Sequence, residues 1–382
     1  MKFELFHAGD KVARYQYASF EPALVNHEWG WDDAVINTLL ESANRALGEL
    51  NAFSLIVPDM DLFVQMHVVK EAQQSSRIEG TQTGMDEALM GEAHIQPEKR
   101  DDWHEVHNYV LAINSAIEEL ESLPLSNRLL KQTHAILMQG VRGQHKQPGE
   151  FRTSQNWIGG SNLTDAVFIP PHPDGLPDLM SDLEQFWHND GINVPHLVRI
   201  AISHYQFETI HPFLDGNGRI GRLMIPLYLI SHGILDKPAL YLSDFFERYR
   251  DSYYDALMRV RVSNDLNHWI RFFLNGVIDT AGRGKAVFQS VLALRSRVER
   301  TVVTLGRRAE SAHAALSVLY RQPILTAAEL AAGMQVSVPT AHKMVDTLVT
   351  LNILKKASVS ASRAQLYVFE EYFNLFVNES HS

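Results

Sequence analysis

The chain has 382 residues, 45% of them hydrophobic, with 45 acidic and 34 basic side chains and a net charge of −11. It is too long for one ordinary domain and apolar enough for a sizeable core, while its negative balance argues against a dedicated nucleic-acid binder but permits a local basic patch. Cysteine is absent, which excludes disulfides and thiolate metal sites and fits a reducing cytoplasm.

The start, MKFELFHAGDKVARYQY, lacks an apolar signal core, and the first twenty residues read as an extended arm. Apolar residues at helical spacing predict helices over 32–56, 60–75, 103–120 and 126–139. From 140 to 178 the chain is rich in Gly, Pro and Asn, with one β-prone run at 166–169, and reads as a long loop carrying a hairpin. Helices resume at 177–189, 195–208, 217–230, 243–262 and 267–283, followed by a charged helical connector to about 308. The uncharged stretch 223–235 contains a proline and is too short to span a bilayer, so a soluble cytoplasmic protein without membrane contact is expected.

Between two apolar helices lies HPFLDGNG, followed by RIGR. Gly216 and Gly218 allow a tight turn and close backbone approach. The next helix begins with unpaired amides and a partial positive charge, which together make an anion site. Arg219 and Arg222, three apart, project along the same side with guanidinium forks suited to phosphate. Asp215 beside such a nest points to Mg²⁺, a hard ion that takes carboxylate and phosphate oxygens. His211 at the entrance titrates in the range of a general base. Each feature alone is ordinary: a turn, a cap, a hydrogen-bonded loop histidine. Phe213 reads as an apolar anchor for the loop.

HPFLDGNGRIGR (211–222) resembles the Fic-domain signature HPFx(D/E)GNGRxxR at every specified position. HAILMQGVRG (134–143), PGEFRTSQNWIG (148–159), VFIPPHP (167–173) and YLSDFFERYRDSYYDAL (241–257) are similar to family segments, and FEPALVNHEW (20–29) resembles an N-terminal extension common there. The resemblance implies a mostly α-helical Fic-fold bundle with a β-hairpin flap at 166–169. It also implies protein adenylyltransferase activity: AMP passes from ATP to a Ser, Thr or Tyr hydroxyl of a target protein, or of the chain itself. His211 would take the hydroxyl proton and Asp215 would hold Mg²⁺. Gly216, Asn217, Gly218, Ile220 and Gly221 would line the nucleotide, with the Asn217 side chain helping, and Arg219 and Arg222 would hold the outer phosphates. Where many relatives carry Asn after YLS, this chain has Tyr249, which bears on how adenine or ribose is contacted.

SSRIEG fits the family's inhibitory motif (S/T)xxxE(G/N) through Ser75, Glu79 and Gly80. The resemblance implies that Glu79 pairs with Arg222 and fills the place of the terminal phosphates. Whether Glu79 also supports AMP removal stays open, as do the target, the oligomeric state and whether a homodimer forms. Residues 324–369 resemble a helix-turn-helix followed by a winged-helix hairpin. Its short helix covers 327–331, with a turn at Gly333 and a second helix over 339–351. Ser337, Thr340, His342 and Lys343 would be exposed, and Lys355, Lys356 and Arg363 would lie near the wing. With five basic and five acidic residues from 311 onward, protein contact is favoured over DNA contact. The division expected is 1–100 (extension with inhibitory helix), 101–285 (Fic core), 286–310 (connector) and 311–382 (small winged-helix-like domain). The alternative function is a DNA-binding regulator whose Fic core senses nucleotide. Phosphoryl transfer, seen in relatives with altered motifs, is disfavoured by the intact Gly216, Gly218 and Arg222.

Overall fold

The computed structural model describes residues 1–56, 60–141, 143, 145–357 and 364–377. In chain order they form strands β1 (Gly9–Ala13) and β2 (Ala18–Pro22), then helices α1 (Ala34–Ile56), α2 (Met60–Ile78), α3 (Met85–Ala88), α4 (Arg100–Glu119) and α5 (Asn127–Leu137). After the long loop come α6 (Leu176–His188), α7 (His196–Ile210), α8 (Asn217–Ser231), α9 (Ser243–Arg248), α10 (Arg250–Ser263) and α11 (Leu266–Val303). The C-terminal part has α12 (Ala309–Arg321), β3 (Ile324–Thr326), α13 (Ala327–Met334), α14 (Val338–Thr350), β4 (Lys355–Lys356), β5 (Leu366–Val368) and α15 (Glu370–Val377). No helix among the described residues is long and apolar enough to cross a membrane.

Helix α7 is the centre of the bundle. Every residue from Leu197 to Ile210 is buried, the pattern of a helix surrounded by others rather than one lying on a surface. Some of the polar groups at its crossings are paired across helices. His204 Nδ1 donates to the Gly221 carbonyl of α8 (2.9 Å), which leaves Nε2 to accept from the Tyr253 hydroxyl of α10 (2.8 Å). Trp269 of α11 donates to the Ala201 carbonyl at 2.8 Å. Helices α1 and α11 pack against each other along the outside. Helix α2 lies between the core and the C-terminal part. Phe63 touches the rings of Tyr320 and Tyr372, and Glu71, fully buried, accepts from Tyr109 (2.9 Å) and from the Ser243 hydroxyl (2.5 Å).

Four local expectations change. The N-terminal arm is a packed element: β1 and β2 form an antiparallel hairpin, and Phe3, Phe6 and Phe20 are buried. Burying such a ring contributes roughly 1.5–3 kcal/mol, which adds to the hydrogen bonds of the hairpin in fixing the segment to the bundle. The 243–262 helix is broken at Tyr249 into α9 and α10. A single helix, α11, covers both the expected 267–283 helix and the connector as far as Val303, since Gly282 and Gly284 are accommodated within its turns. Gly333 lies inside α13, not in the turn, because a Cβ there would press on Val318 at 2.8 Å. The turn is made by Gln335 at φ 55°.

The C-terminal sheet has the order β3-β5-β4, antiparallel throughout. Ser337, Thr340, His342 and Lys343 are exposed at the start of α14, while Arg363 lies outside the described residues. Lys355 is paired with Glu370, and Arg297 of α11 with Glu371, so these two basic groups stand next to carboxylates.

Candidate active site

The site is built on the loop between α7 and α8. His211 ends α7 in the left-handed region (φ 51°, ψ 58°), a conformation that costs a non-glycine residue roughly 1–2 kcal/mol. Two arginines offset it by meeting the orphan carbonyls at the end of α7. Arg152 Nε donates to the His211 carbonyl (3.0 Å) and its Nη2 to those of Pro171 (2.6 Å) and Ile210 (3.3 Å). Arg261 Nη2 donates to the Glu208 carbonyl at 3.0 Å. Cations at a helix C-terminus are favourable in any case. Asn156 adds bonds to the carbonyls of His211 (3.1 Å) and Phe213 (2.9 Å).

Phe213 is the anchor that its position in the sequence suggests: fully buried and stacked on His134 at 3.9 Å. His134 is itself a brace. Its Nδ1 accepts from the Gly149 amide (2.8 Å), so its Nε2 carries the proton and donates to the Asp215 carbonyl (3.0 Å). Burial lowers its pKa to about 4. The expectation that the Asn217 side chain reaches toward phosphate is corrected. Its oxygen accepts from the Phe213 amide and its nitrogen donates to the Phe213 carbonyl, both at 2.8 Å, so the amide locks the loop and only the backbone of Asn217 remains for a ligand.

Ile220 and Gly221 likewise offer no side chain to the cleft. Ile220 is a core side chain, and a Cβ on Gly221 would fall onto the Glu208 carboxyl across the α7–α8 crossing. Gly216 sits at φ 76°, with Met138 Sδ 3.0 Å from where its Cβ would be. Asp215 accepts from the Gly216 amide through Oδ1 (2.7 Å), and its side chain is about half exposed.

Arg222 is buried and held on three sides. Nε donates to the Ser75 hydroxyl (2.9 Å), and Nη2 to the Ser75 carbonyl (2.9 Å) and to Glu79 Oε1 (2.7 Å). The Glu79 carboxylate lies over the first turn of α8, for a Cβ on Gly218 would fall onto its Oε1. Burial works to raise the Glu79 pKa, but the charge and hydrogen bond of Arg222, with Arg219 and His211 behind, outweigh it and hold the carboxyl below its usual range. Gly80, at φ 101°, ends the helix that delivers Glu79, and Arg250 Nη2 holds the Ile78 carbonyl at 2.6 Å. Arg219 is buried between Glu105 (3.6 Å) and Asp215 (3.7 Å).

His211 is kept neutral. Burial lowers its pKa first, then the charges of Arg261 and Arg152, to about 3. The same arginines that hold the α7 carbonyls thus discourage a proton on the ring. Tyr249, at the α9–α10 break, is half exposed, with its ring against Phe245 (4.9 Å) and the Arg248 guanidinium 5.4 Å from its centre. Tyr254 is the exposed tyrosine that feels the Glu79 and Arg222 charges.

His134, Arg152, Asn156, Glu208, Tyr254 and Arg261 were not singled out from the sequence. The available signal was polarity inside an apolar run, clearest for Glu208 in the stretch just before His211.

Three imidazoles inside the fold, His67, His134 and His204, are neutral because burial lowers them to about 3, 4 and 3. Folded values below the ordinary 6.5 mean that the unfolded chain protonates first, so their contribution is whole above 6.5 and is lost as pH falls. Each removes roughly 1.4 kcal/mol per pH unit in that window. Glu71 and Glu208, raised by burial, act oppositely: down to the ordinary 4.5 they gain protons first in the folded state and offset part of the loss. Urea midpoints should therefore fall gently from pH 6.5 to about 4.5 and steeply below. A midpoint flat to pH 4 would contradict neutral buried imidazoles.

The loop and helix start therefore combine backbone amides, two buried arginines, a half-exposed carboxylate and a neutral imidazole in a helical bundle. This class of site can bind an oxyanion and accept a proton beside it. Residues 37–118 match the family described as Fic/DOC family N-terminal, and residues 124–229 match the Fic/DOC family. The chain carries the N-terminal and Fic domains of that family. Over 176 residues it is 28% identical to a protein adenylyltransferase Fic from Aedes aegypti and 30% identical to one from Culex quinquefasciatus, 44% of this chain in each case. The matched segment spans only 32% and 31% of those relatives, about a third of their length. In fold, it is similar to a Fic family protein from Desulfovibrio desulfuricans G20, with a TM-score of 0.53, 21% identity, and coverage of 88% of this chain and 96% of that one. A Fic domain containing signaling protein from Bacteroides thetaiotaomicron has a TM-score of 0.52 at 18% identity, covering 65% of this chain and 95% of its own.

Proposed function

We propose that the chain is a protein adenylyltransferase that transfers AMP from ATP to a Ser, Thr or Tyr hydroxyl and is held inactive by its own Glu79. One juxtaposition carries the proposal: a carboxylate paired with the buried Arg222 and lying over the first turn of α8, a few residues from a neutral His211. An anion already stands where the triphosphate would go. The curated relatives named protein adenylyltransferase Fic support the reaction class.

In the reaction the target hydroxyl oxygen attacks the α-phosphorus of ATP, and its proton passes to His211. The bond from the α-phosphorus to the bridging oxygen breaks, and pyrophosphate leaves. The amides of Gly216 to Gly218 and the two arginines stabilise the charge that moves onto the phosphates. A bound polyanion also raises the proton affinity of His211, against the effect of Arg261 and Arg152. Asp215 fits Mg²⁺ as a single donor beside phosphate oxygens, because its half-exposed carboxylate has an oxygen left over from the Gly216 bond. The described residues hold no group of three or more His, Asp or Glu that could cage a metal alone. The ion would supply charge neutralisation on the phosphates.

Asp215→Ala should abolish activity together with its Mg²⁺ dependence. Metal titrations of the variant that match the parent would leave Asp215 as a loop cap. The reaction itself is tested by mass spectrometry after incubating the Glu79→Gly protein with ATP and Mg²⁺, alone and in a lysate. Added AMP on the chain or on a second protein is expected, and its absence from both would overturn the proposal.

A further inference from the structure

Two buried side chains beside the site, Glu208 and His211, lie next to each other, and each has a polar atom without a partner. Glu208 stands one turn before His211 on α7, and its Oε2 lies 4.0 Å from His211 Nδ1. Neither that Nδ1 nor Glu208 Oε1 has a hydrogen-bond partner. A buried carboxyl without a partner is costly, and native folds retain few of them. Room has been made for this one: the missing Cβ of Gly221 is what allows Oε1 into the α7–α8 crossing. The left-handed turn at His211 directs its ring back along α7 toward the same carboxyl.

We propose that Glu208 is a positioning residue for His211, accepting a hydrogen bond from Nδ1–H so that Nε2 is free to take the proton of the target hydroxyl. As Nε2 gains that proton, the carboxylate faces the imidazolium and stabilises it, the role a buried acid plays behind a general-base histidine. The inference rests on the adenylyltransferase reading above. The other acceptor near the ring is the Glu208 backbone carbonyl, which already receives Arg261 Nη2 at 3.0 Å. The charged and titratable groups around the pair are Arg222 on α8, Arg261, Tyr253 and Tyr254 on α10, Glu79 at the end of α2, and Arg152 from the loop. Burial raises Glu208 most strongly, Arg222 lowers it, Glu79 raises it and Arg261 lowers it, leaving it at about 7. Ionisation of Glu208 therefore falls within the working range of pH, and activity should rise as it ionises.

The test uses the full chain in the Glu79→Gly background with ATP and Mg²⁺. Glu208→Gln keeps shape and an acceptor but loses the charge: kcat should fall on the order of 10-fold with KM for ATP unchanged, and the rise in rate that accompanies Glu208 ionisation should disappear. Glu208→Ala loses the acceptor too and should fall about 10-fold further. A merely structural Glu208, or positioning by the backbone carbonyl, predicts that the isosteric Gln variant keeps both kcat and the pH profile; that outcome overturns the proposal. A parent that transfers no AMP instead defeats the adenylyltransferase reading. The positioning role is then judged by nitrogen NMR of the His211 ring, which should be Nδ1-protonated in the parent and shift toward the other tautomer in Glu208→Ala. An unchanged ring tautomer would overturn it.

Discussion

An alanine at position 211 should cut AMP transfer by about 10²- to 10⁴-fold, the usual worth of a general base, while ATP binds within a few-fold of the parent. The separation follows from how the loop is held. The His211 ring has no hydrogen-bond partner of its own through Nδ1. It is the backbone carbonyl that receives Arg152 and Asn156, and alanine retains it. The loop beyond is fixed by Phe213, His134 and the Asn217 amide, none of which touches the imidazole through a hydrogen bond. If the ring served only to hold the loop, ATP affinity would fall with activity. Calorimetric titration of ATP beside single-turnover AMP incorporation distinguishes the two, and unchanged incorporation would refute the base assignment.

What could be read from the chain was the part written in contiguous residues. The 211–222 segment carries its own geometry: glycines where the backbone must turn, a helix start beside them and arginines on the following turns. The helices were legible because α4, α5 and α6 have one apolar face each. Ser75 and Glu79 were legible only through a motif, since nothing local to SSRIEG says which arginine they meet.

The remaining site residues act across the fold. Arg152 and Arg261 reach the same helix end from opposite sides of it in sequence, and His134 meets Asp215 across a long loop and two helices. Such pairings have no period for a sequence to show. Gly221 and Asn217 illustrate a related point: a residue type fitted to phosphate is equally fitted to a helix crossing or a loop lock, and only the direction it faces shows which packing role it has. The N-terminal hairpin escaped because its anchor is distant. Phe20 donates its amide to Ile169 of the flap segment and packs on Phe168.

Glu79→Gly should raise AMP transfer about 10- to 150-fold, the population change that corresponds to losing one charge-assisted hydrogen bond of roughly 1.5–3 kcal/mol. Partial exposure of the Glu79 side chain screens the pair and favours the lower end. The substitution clears two places at once. Arg222 loses its carboxylate, and the space over Gly218 at the start of α8 is vacated. Arg222 is not set adrift, because its bonds to the hydroxyl and carbonyl of Ser75 remain, both at 2.9 Å, and keep the guanidinium aimed at the cleft. The local cost is small: glycine at the frayed end of α2, beside Gly80, loses at most about 1 kcal/mol of helix propensity. A glutamate that merely faced water would leave activity unchanged on removal, and one that mattered only for stability would lower it. A gain requires that the carboxylate competes with the nucleotide, and Arg222→Ala added to Glu79→Gly should erase the gain. Initial rates across a range of ATP concentrations decide the matter: a single variant no faster than the parent at every concentration means that Glu79 does not hold this site shut.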